Sequence, residues 1–387
     1  MITLEEFGVT WLHNEGQDEL RVSRDQKARP VIVPKDPAKM PMFAGYAETV
    51  NAGKTSLNED QAVAKFLTFM KNTENASAHG KNETNLTTRF STKQSFMADE
   101  QLLSEPRNSS VMKDDNQIED EKALLPIAGG CTAVVALFLA GKLYVATAGD
   151  CRALLCSEKC TRQLSTVFTP LYERKRLQSI AYRHPNLLRK QFSRLIYSRT
   201  LTDADLNSKV FYQDWYMDGW AVKTVQPTDL LPSMIGFYNQ KCRLFNTIAV
   251  TRGFGDHHLV TAKNGIQIKN FLSALPEVNV VDFSELNCLS HRDVLVLASD
   301  GLWNVLSTEN VVQIITAGVN AHDENDVTTY TLIAEELVAA ARGQSVDGIT
   351  WLLDESKPAS DDDISVFVIP LKFAFVPNSE DDVELLT

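Results

Sequence analysis

The chain has 387 residues and a formal net charge of -12, with 44% hydrophobic and 23% charged residues. These proportions are typical of a soluble globular protein and exclude a chain that is disordered throughout. The acidic balance argues against a nucleic-acid or anionic-membrane surface, which would need a basic patch.

The chain carries no mark of secretion. Its first residues lack a basic start followed by an apolar stretch, and no run approaches the roughly 18 apolar residues of a membrane span. The six cysteines are too few for a disulfide scaffold, and Cys151, Cys156 and Cys160 lack the paired spacing of a zinc site. We therefore expect an intracellular, cytoplasmic protein with reduced thiols and no transmembrane segment.

In chain order, residues 1–43 contain four prolines in the run ARPVIVPKDPAKMP and are predicted to form an extended arm. The main domain is predicted over 44–371. It opens with two strands joined by a glycine-containing turn, in GYAETVNAGKTSLNEDQAVAKFLTF. Residues 71–110 are rich in Asn, Thr, Ser, Lys and Glu, which predicts a polar disordered insertion. A charged helix is predicted over 111–125.

The second half of the domain returns to strands from Gly129 to Cys156, with a hairpin turn at 140–142. Residues 168–245 carry many basic and aromatic residues and are predicted to form an inserted subdomain. Within it, the basic run RKRLQ is expected to be a solvated helix face. The remaining predicted elements are strands over 246–259 and 291–301, a helix from Thr331 capped by Gly343, a last strand over 361–371 and an acidic tail over 372–387.

Four stretches deliver an aspartate at or near the end of a strand-forming run: Asp60, Asp150, Asp300 and Asp362. Each alone is more often a turn residue or a helix cap. Together at one edge of a core, ionised carboxylates would repel one another unless cations lay between them. Mg²⁺ or Mn²⁺ suits such a site, and a pair of these ions supports chemistry at a phosphoryl group.

The motifs NED, GGCTA, ATAGDCRA, TRGFGD, LASDGLWNVLS and DDDISV occur in that order. They resemble those of the metal-dependent protein phosphatases, the PPM or type 2C serine/threonine phosphatases, and look most like the flap-bearing H, J and M branch. The similarity runs from about Tyr46 to Leu371. It implies an α+β fold, a four-layer αββα sandwich of two antiparallel sheets, with 168–245 as the flap subdomain.

The resemblance also implies roles for individual residues and two bound Mg²⁺ or Mn²⁺ ions. The catalytic residues it implies are Asp60, Asp300 and Asp362, the metal-binding residues are Glu59, Asp60, Asp150, Asp300, Gly301 and Asp362, and the phosphate-binding residue is Lys54. The flap is linked to substrate choice in this branch, which acts on phosphoproteins including phosphorylated Rab-type GTPases. Trp215 and Trp220 are its candidate recognition residues, although flap aromatics are more often a small local core.

One family motif, FDGHxG, is missing, because no DGH occurs in the chain. Its Asp bridges both metals in the family, and two close cations without a bridging anion repel strongly. Asn304 stands where close relatives have Asp, which removes a further negative charge. We therefore expect one central strand to be missing, sheet edges to be exposed and metal binding to be weakened.

Three hypotheses follow from these motifs and this gap. The chain is an active phosphatase with a degraded centre, a pseudophosphatase that binds phosphoproteins or partners, or a splice or gene-model product that lacks one coding block. We interpret it as a metal-dependent protein serine/threonine phosphatase that uses a metal-activated water and is impaired by the loss of DGH.

Overall fold

A computed structural model describes residue 25 and residues 27–55, 58–64, 129–139, 141–157, 160–238, 241–283, 289–354 and 356–373. The predicted insertion at 71–110, the predicted helix at 111–125 and the end of the acidic tail lie outside these residues. Among the helices that are described, none is long and apolar enough to cross a membrane.

The strands and helices within the described ranges are short. In chain order, the strands are β1 (Gly45–Thr49), β2 (Gly130–Cys131), β3 (Ala133–Leu139), β4 (Lys142–Ala148), β5 (Arg152–Cys156), β6 (Thr161–Gln163), β7 (Ile196–Tyr197), β8 (Lys209–Gln213), β9 (Ala221–Thr224), β10 (Ile235–Tyr238), β11 (Lys241–Leu244), β12 (Phe254–Gly255), β13 (Glu277–Asp282), β14 (Val294–Ala298), β15 (Gln344–Ser345), β16 (Trp351–Leu352) and β17 (Ile364–Pro370). The α-helices are α1 (Arg174–Arg183), α2 (Asp300–Trp303), α3 (Thr308–Ala321) and α4 (Thr329–Arg342).

The larger sheet is antiparallel, with strand order β1-β17-β14-β5-β6. Its central strand β14 pairs Val296 with Val368 of β17 on one side and with Leu154 of β5 on the other. Every residue of β14 is buried, which explains why its sequence is an unbroken apolar run rather than an alternating one. The candidate aspartate Asp300 lies just beyond this most buried strand.

A smaller antiparallel sheet, β13-β4-β3, packs on the larger one. The core between the sheets contains Tyr46, Leu155, Leu295, Leu297 and Ile369 from the larger sheet and Leu143, Val145 and Val281 from the smaller one. On the outer face of the larger sheet, α3 and α4 bury Ile315, Ile333 and Leu337 against Val296 and Val366. The predicted α+β class and the two antiparallel sheets are confirmed. The loss of one central strand stays a prediction, because residues 65–128 lie outside the described ranges.

A third core belongs to the inserted subdomain, which contains α1, the sheet β7-β8-β9 and the hairpin β10-β11. Leu177 of α1, Met234 and Leu244 are buried there together with Phe271. This core therefore continues past residue 245, where the sequence places the end of the insertion.

Some predicted elements differ from the structure. The strand predicted over 246–259 forms only the two-residue β12, because Gly255 and Asp256 take positive φ angles of 77° and 54° that interrupt an extended strand. Residues 61–64 have no regular structure, so the described part of the second predicted strand is absent. Helix α3 was not predicted, although Ser307 accepts a capping hydrogen bond from the Asn310 N–H.

Candidate functional site

The turn after β14 places Asp300 at the end of the sandwich. The chain passes from Ala298 through Ser299 directly into the short helix α2. Trp303, which is buried, donates from Nε1 to the carbonyl oxygen of Ala298 at 3.0 Å. The tryptophan of the LASDGLWNVL motif thus links the end of β14 to α2 by a hydrogen bond, which restricts the position of Asp300.

Gly301 brings this turn against the loop before β17. A Cβ atom at Gly301 would lie 1.9 Å from the carbonyl oxygen of Asp363, so no larger residue fits without moving that loop. The sequence assigned Gly301 to the metal-binding set. In the structure its contribution is a close backbone approach that keeps Asp300 near the loop carrying Asp362.

Lys54 lies beside the same loop. Its Nζ is 3.3 Å from Oδ1 of Asp362 and 3.5 Å from Oδ1 of Asp361, and all three side chains are partly exposed. A partly exposed cation next to an acidic candidate ligand is suited to neutralise a phosphate group that approaches this edge. The structure therefore brings together Lys54 and Asp362, which the sequence proposed separately.

Asp363 and Asn51 organise the site, and neither was predicted from the sequence. The buried carboxylate of Asp363 accepts hydrogen bonds from Asn51 N (2.7 Å), Asn51 Nδ2 (3.0 Å) and Glu59 N (2.8 Å). Asn51 Oδ1 in turn accepts from the backbone of Lys54 at 2.7 Å and of Thr55 at 3.0 Å. Asn before a Gly-containing turn is the signal that could have identified this arrangement.

The candidate aspartates share one electrostatic environment. Burial raises the pKa of Asp60 to about 6; the Ser299 hydroxyl opposes the shift, and the charges of Asp363 and Asp300 reinforce it. Although Ser299 lies close, Asp60 Oδ2 is buried and makes no geometrically acceptable hydrogen bond to the described residues. A buried carboxylate oxygen without a partner is costly unless a cation or a proton satisfies it.

Asp150 shows the same pattern. Burial raises its pKa to about 6, the charges of Asp300 and then Asp362 add to the shift, and Lys241 opposes it. Asp150 follows β4, whereas Lys241 begins the second strand of the flap hairpin β10-β11. Carboxylates from separate chain segments, and one flap cation, therefore act on each other at this edge of the sandwich.

The other predicted site residues are Glu59, next to Asp60, and two tryptophans of the flap. The Glu59 side chain is exposed, and its contribution is the backbone hydrogen bond to Asp363. On the flap, Trp215 packs against Tyr182 and Tyr216, with ring centroids 5.7 and 5.6 Å away. Trp220 is 48% exposed, so it is a surface residue and not part of a local flap core.

The chemistry of the cluster suits a hard divalent cation, since its donors are carboxylate oxygens and one of them is buried without a partner among the described residues. The arrangement is not a closed ligand set: within the described ranges, no three His, Cys, Asp or Glu side chains are grouped so that they could hold an ion. Asn304 also donates from Nδ2 to Oδ2 of Asp300 at 2.8 Å, which occupies one of the candidate oxygens.

The sequence was compared with models of known protein families, and one of them matches most of the chain. The model of protein phosphatase 2C matches residues 37–228 and 233–347. These ranges include the candidate residues Lys54, Asp60, Asp150 and Asp300, whereas Asp362 lies beyond them.

Full-length relatives match as well. Protein phosphatase 1H of Rattus norvegicus is 34% identical over 459 aligned residues, covering 92% of this chain and 89% of that protein. Because this alignment is longer than the 387-residue chain, the relative contains positions that the chain lacks. Protein phosphatase 1M of Mus musculus is also 34% identical, over 90% of this chain and 87% of that protein.

A solved structure of serine-threonine phosphatase 2C from Toxoplasma gondii is 18% identical and covers 62% of this chain and 57% of that one. Its TM-score is 0.31, which is too low to support a conclusion.

Proposed function

The chain belongs to the protein phosphatase 2C family, and from this premise we propose that it is a metal-dependent protein serine/threonine phosphatase with impaired catalysis. The observation that carries the proposal is the convergence of charge at the end of the sandwich. The charge of Asp300 acts on both Asp60 and Asp150, the charge of Asp362 acts on Asp150, and Lys54 lies against Asp362.

Asp60, Asp150, Asp300 and Asp362 would supply the ligands of a Mg²⁺ or Mn²⁺ ion, and their side chains would have to move closer together to do so, because no three acidic side chains of the described residues are grouped to hold an ion as they stand. When bound, such an ion supplies a water molecule of lowered pKa and offsets charge on the phosphoryl group. Lys54 binds the phosphate of the substrate from the side of Asp362. Asp60 is suited to accept a hydrogen bond from a water molecule, because its buried Oδ2 has no other partner among the described residues.

Two features support reduced catalysis. The DGH motif of the family is absent from the chain, so the anion that bridges two cations in relatives has no counterpart in the sequence. Asn304 stands where the family resemblance implies an aspartate, and it donates an amide hydrogen to Asp300. Both features lower the negative charge available to a second cation, and we propose that its binding is the step most weakened.

A second candidate function is that of a pseudophosphatase that binds phosphoproteins without hydrolysing them. The hydrogen bond from Asn304 favours this alternative, because it satisfies an Asp300 oxygen without a cation. The exposed Trp220 and Tyr216 of the flap offer a surface for protein contacts. The candidate partners are phosphoproteins, with phosphorylated Rab-type GTPases as the class to test first.

Phosphate release separates the two candidates. Purified protein is incubated with a phosphothreonine peptide, and separately with a phosphorylated Rab-type GTPase, with and without millimolar manganese. The control is the double variant Asp300→Ala, Asp362→Ala, with circular dichroism to show that it is folded. We expect slow, manganese-dependent release that is lost in the double variant.

A folded protein that binds the phosphoprotein, with or without manganese, but releases no phosphate would support the pseudophosphatase. A protein that neither binds manganese nor releases phosphate would contradict the proposed metal-dependent activity.

A further inference from the structure

Arg29, in the segment before β1, is buried at 0% exposure and donates to three backbone carbonyls. Its Nε lies 2.7 Å from Val50 O, its Nη1 2.7 Å from Ser360 O and its Nη2 3.0 Å from Asp362 O. The planar guanidinium can donate to three acceptors in different directions in its plane. A lysine ammonium cannot make these hydrogen bonds in the same geometry.

The three carbonyls belong to the two loops that build the candidate site. Val50 is followed directly by the Asn51 turn that presents Lys54. Ser360 and Asp362 lie in the loop before β17, which carries the candidate cation ligand Asp362. The buried side chain of Arg29, which belongs to neither loop, therefore joins the two loops by hydrogen bonds.

Arg29 is itself held in place. Its guanidinium carbon lies 5.4 Å from the ring centroid of Trp351. The guanidinium carbon of Arg342 lies 5.5 Å from the same centroid. Arg342 Nη1 donates to the carbonyl oxygen of Arg29 at 2.7 Å, and Thr49 Oγ1 donates to it at 3.1 Å. Burial and the neighbouring Arg342 lower the pKa of Arg29 to about 10, while nearby aspartates oppose the shift. The side chain stays protonated at neutral pH.

We propose that Arg29 is a positioning residue of the candidate cation site, which fixes the backbone of residues 360–362 and thereby the direction of the Asp362 carboxylate. The inference rests on the proposed function, because it assumes that Asp362 binds a cation. A residue that orients a ligand without touching the ion is commonly as important for metal affinity as some ligands. Asp363 acts beside it on the Asn51 turn.

The test compares Arg29→Met and Arg29→Lys with the matched control Arg174→Met. Arg174 is also buried and donates to two backbone carbonyls, those of Asp214 (2.9 Å) and Met217 (2.7 Å), but it lies in the flap. Manganese affinity is measured by titration of the paramagnetic signal of the free ion. Amide hydrogen exchange is measured over residues 360–364.

We expect Arg29→Met to weaken manganese binding by roughly 10- to 100-fold and to raise amide exchange at 360–364. Arg29→Lys, which keeps the charge, gives a smaller effect of the same sign, and it serves as the test if Arg29→Met does not fold. Arg174→Met leaves manganese affinity within error of the wild-type chain, even if it unfolds at lower temperature.

Two results would overturn the inference in distinguishable ways. If the wild-type chain binds manganese and the Arg29 variants bind it equally well with unchanged exchange at 360–364, Arg29 does not position the site, while the proposed function stands. If the wild-type chain itself binds no manganese, the proposed cation site fails, and the role of Arg29 fails with it.

Discussion

Asp60 is a single residue at which stability and function are expected to conflict. Burial first, and then neighbouring carboxylates, raise its pKa from 3.8 to about 6. Between these values the folded chain binds a proton that the unfolded chain releases. The free energy of unfolding therefore falls as the pH rises from about 4 to about 6, and it stays lower above that range.

The variant Asp60→Asn removes this charge and keeps the shape of the side chain. We expect it to be more stable than the wild-type chain by about 1–2 kcal/mol at neutral pH, allowing for solvent screening of a partly buried group. The gain should disappear near pH 4, where the wild-type carboxyl is protonated. Urea unfolding at both pH values measures the difference, with the exposed Asp203→Asn as control. Lower stability of Asp60→Asn at neutral pH would contradict this account.

The sequence predicts candidate residues where they follow a strand pattern. It does not predict residues whose role depends on hydrogen bonds to backbone groups far away in the chain. Asp150 and Asp300 could be proposed as candidates because each follows an apolar strand. Arg29 could not, because its partner Ser360 is 331 positions away and an extended arm gives no sign of what it packs against. Arg174 illustrates the same limit: it lies in the basic run expected to be a solvated helix face, yet it is buried against flap carbonyls.

At the scale of elements, the strands were predicted better than the connections. The apolar runs of β14 and β17 have clear strand patterns, and Gly343 caps α4 with a φ angle of 67°, as expected. The segment 246–259 has strand-forming residues, but its backbone is set by turns that pair β12 with β2. Local propensity does not reveal such tertiary constraints.

The contact between α2 and the loop before β17 gives a prediction at this scale. In Gly301→Ala, a Cβ atom with ideal geometry would lie only 1.9 Å from the carbonyl oxygen of Asp363. The two atoms would overlap, so the turn and the loop must move apart. We expect a loss of roughly 1–3 kcal/mol of stability and weaker manganese binding, because Asp300 and Asp362 are carried by these two segments. Thermal unfolding and manganese titration measure the two effects.

Gly219→Ala is the matched control, because its added methyl group meets no atom within 4 Å and its φ angle is not positive. It should change neither quantity. Manganese affinity that is equally unaffected in Gly301→Ala would show that the close approach is a packing feature alone.

The part of the molecule that the structure describes contains three cores, and the buried carboxylate of Glu173 joins two chain segments beside the flap core. Glu173 lies just before α1. Its Oε1 is 2.8 Å from Arg252 Nη2 and its Oε2 is 2.5 Å from Arg176 Nη2. Oε2 also accepts a hydrogen bond from Thr251 Oγ1 at 2.9 Å. Arg252 and Thr251 precede β12, which pairs with β2 next to the smaller sheet. Glu173 therefore links the start of α1 to the segment that leads into β12.

The variant Glu173→Gln tests whether this carboxylate couples the flap to the rest of the molecule. Burial would raise the pKa of Glu173, but hydrogen bonds and charges from Arg176 and Arg252 outweigh it and lower the pKa below 4.5. The ionised group therefore stabilises the folded chain above pH 4.5, and this stabilisation is lost as the pH falls through the lower folded value. Removing one partner of a buried ion pair typically costs about 3–5 kcal/mol.

We expect calorimetry at neutral pH to show an earlier transition for the flap of Glu173→Gln, separate from that of the sandwich. The difference from the wild-type chain should shrink as the pH is lowered below 4.5 and through the lowered pKa of the folded chain, because the wild-type carboxyl then also becomes neutral. The exposed Glu336→Gln serves as control and should match the wild-type chain at every pH. A difference for Glu173→Gln that persists undiminished in acid would show that packing of the side chain, and not its charge, joins the flap to the sandwich.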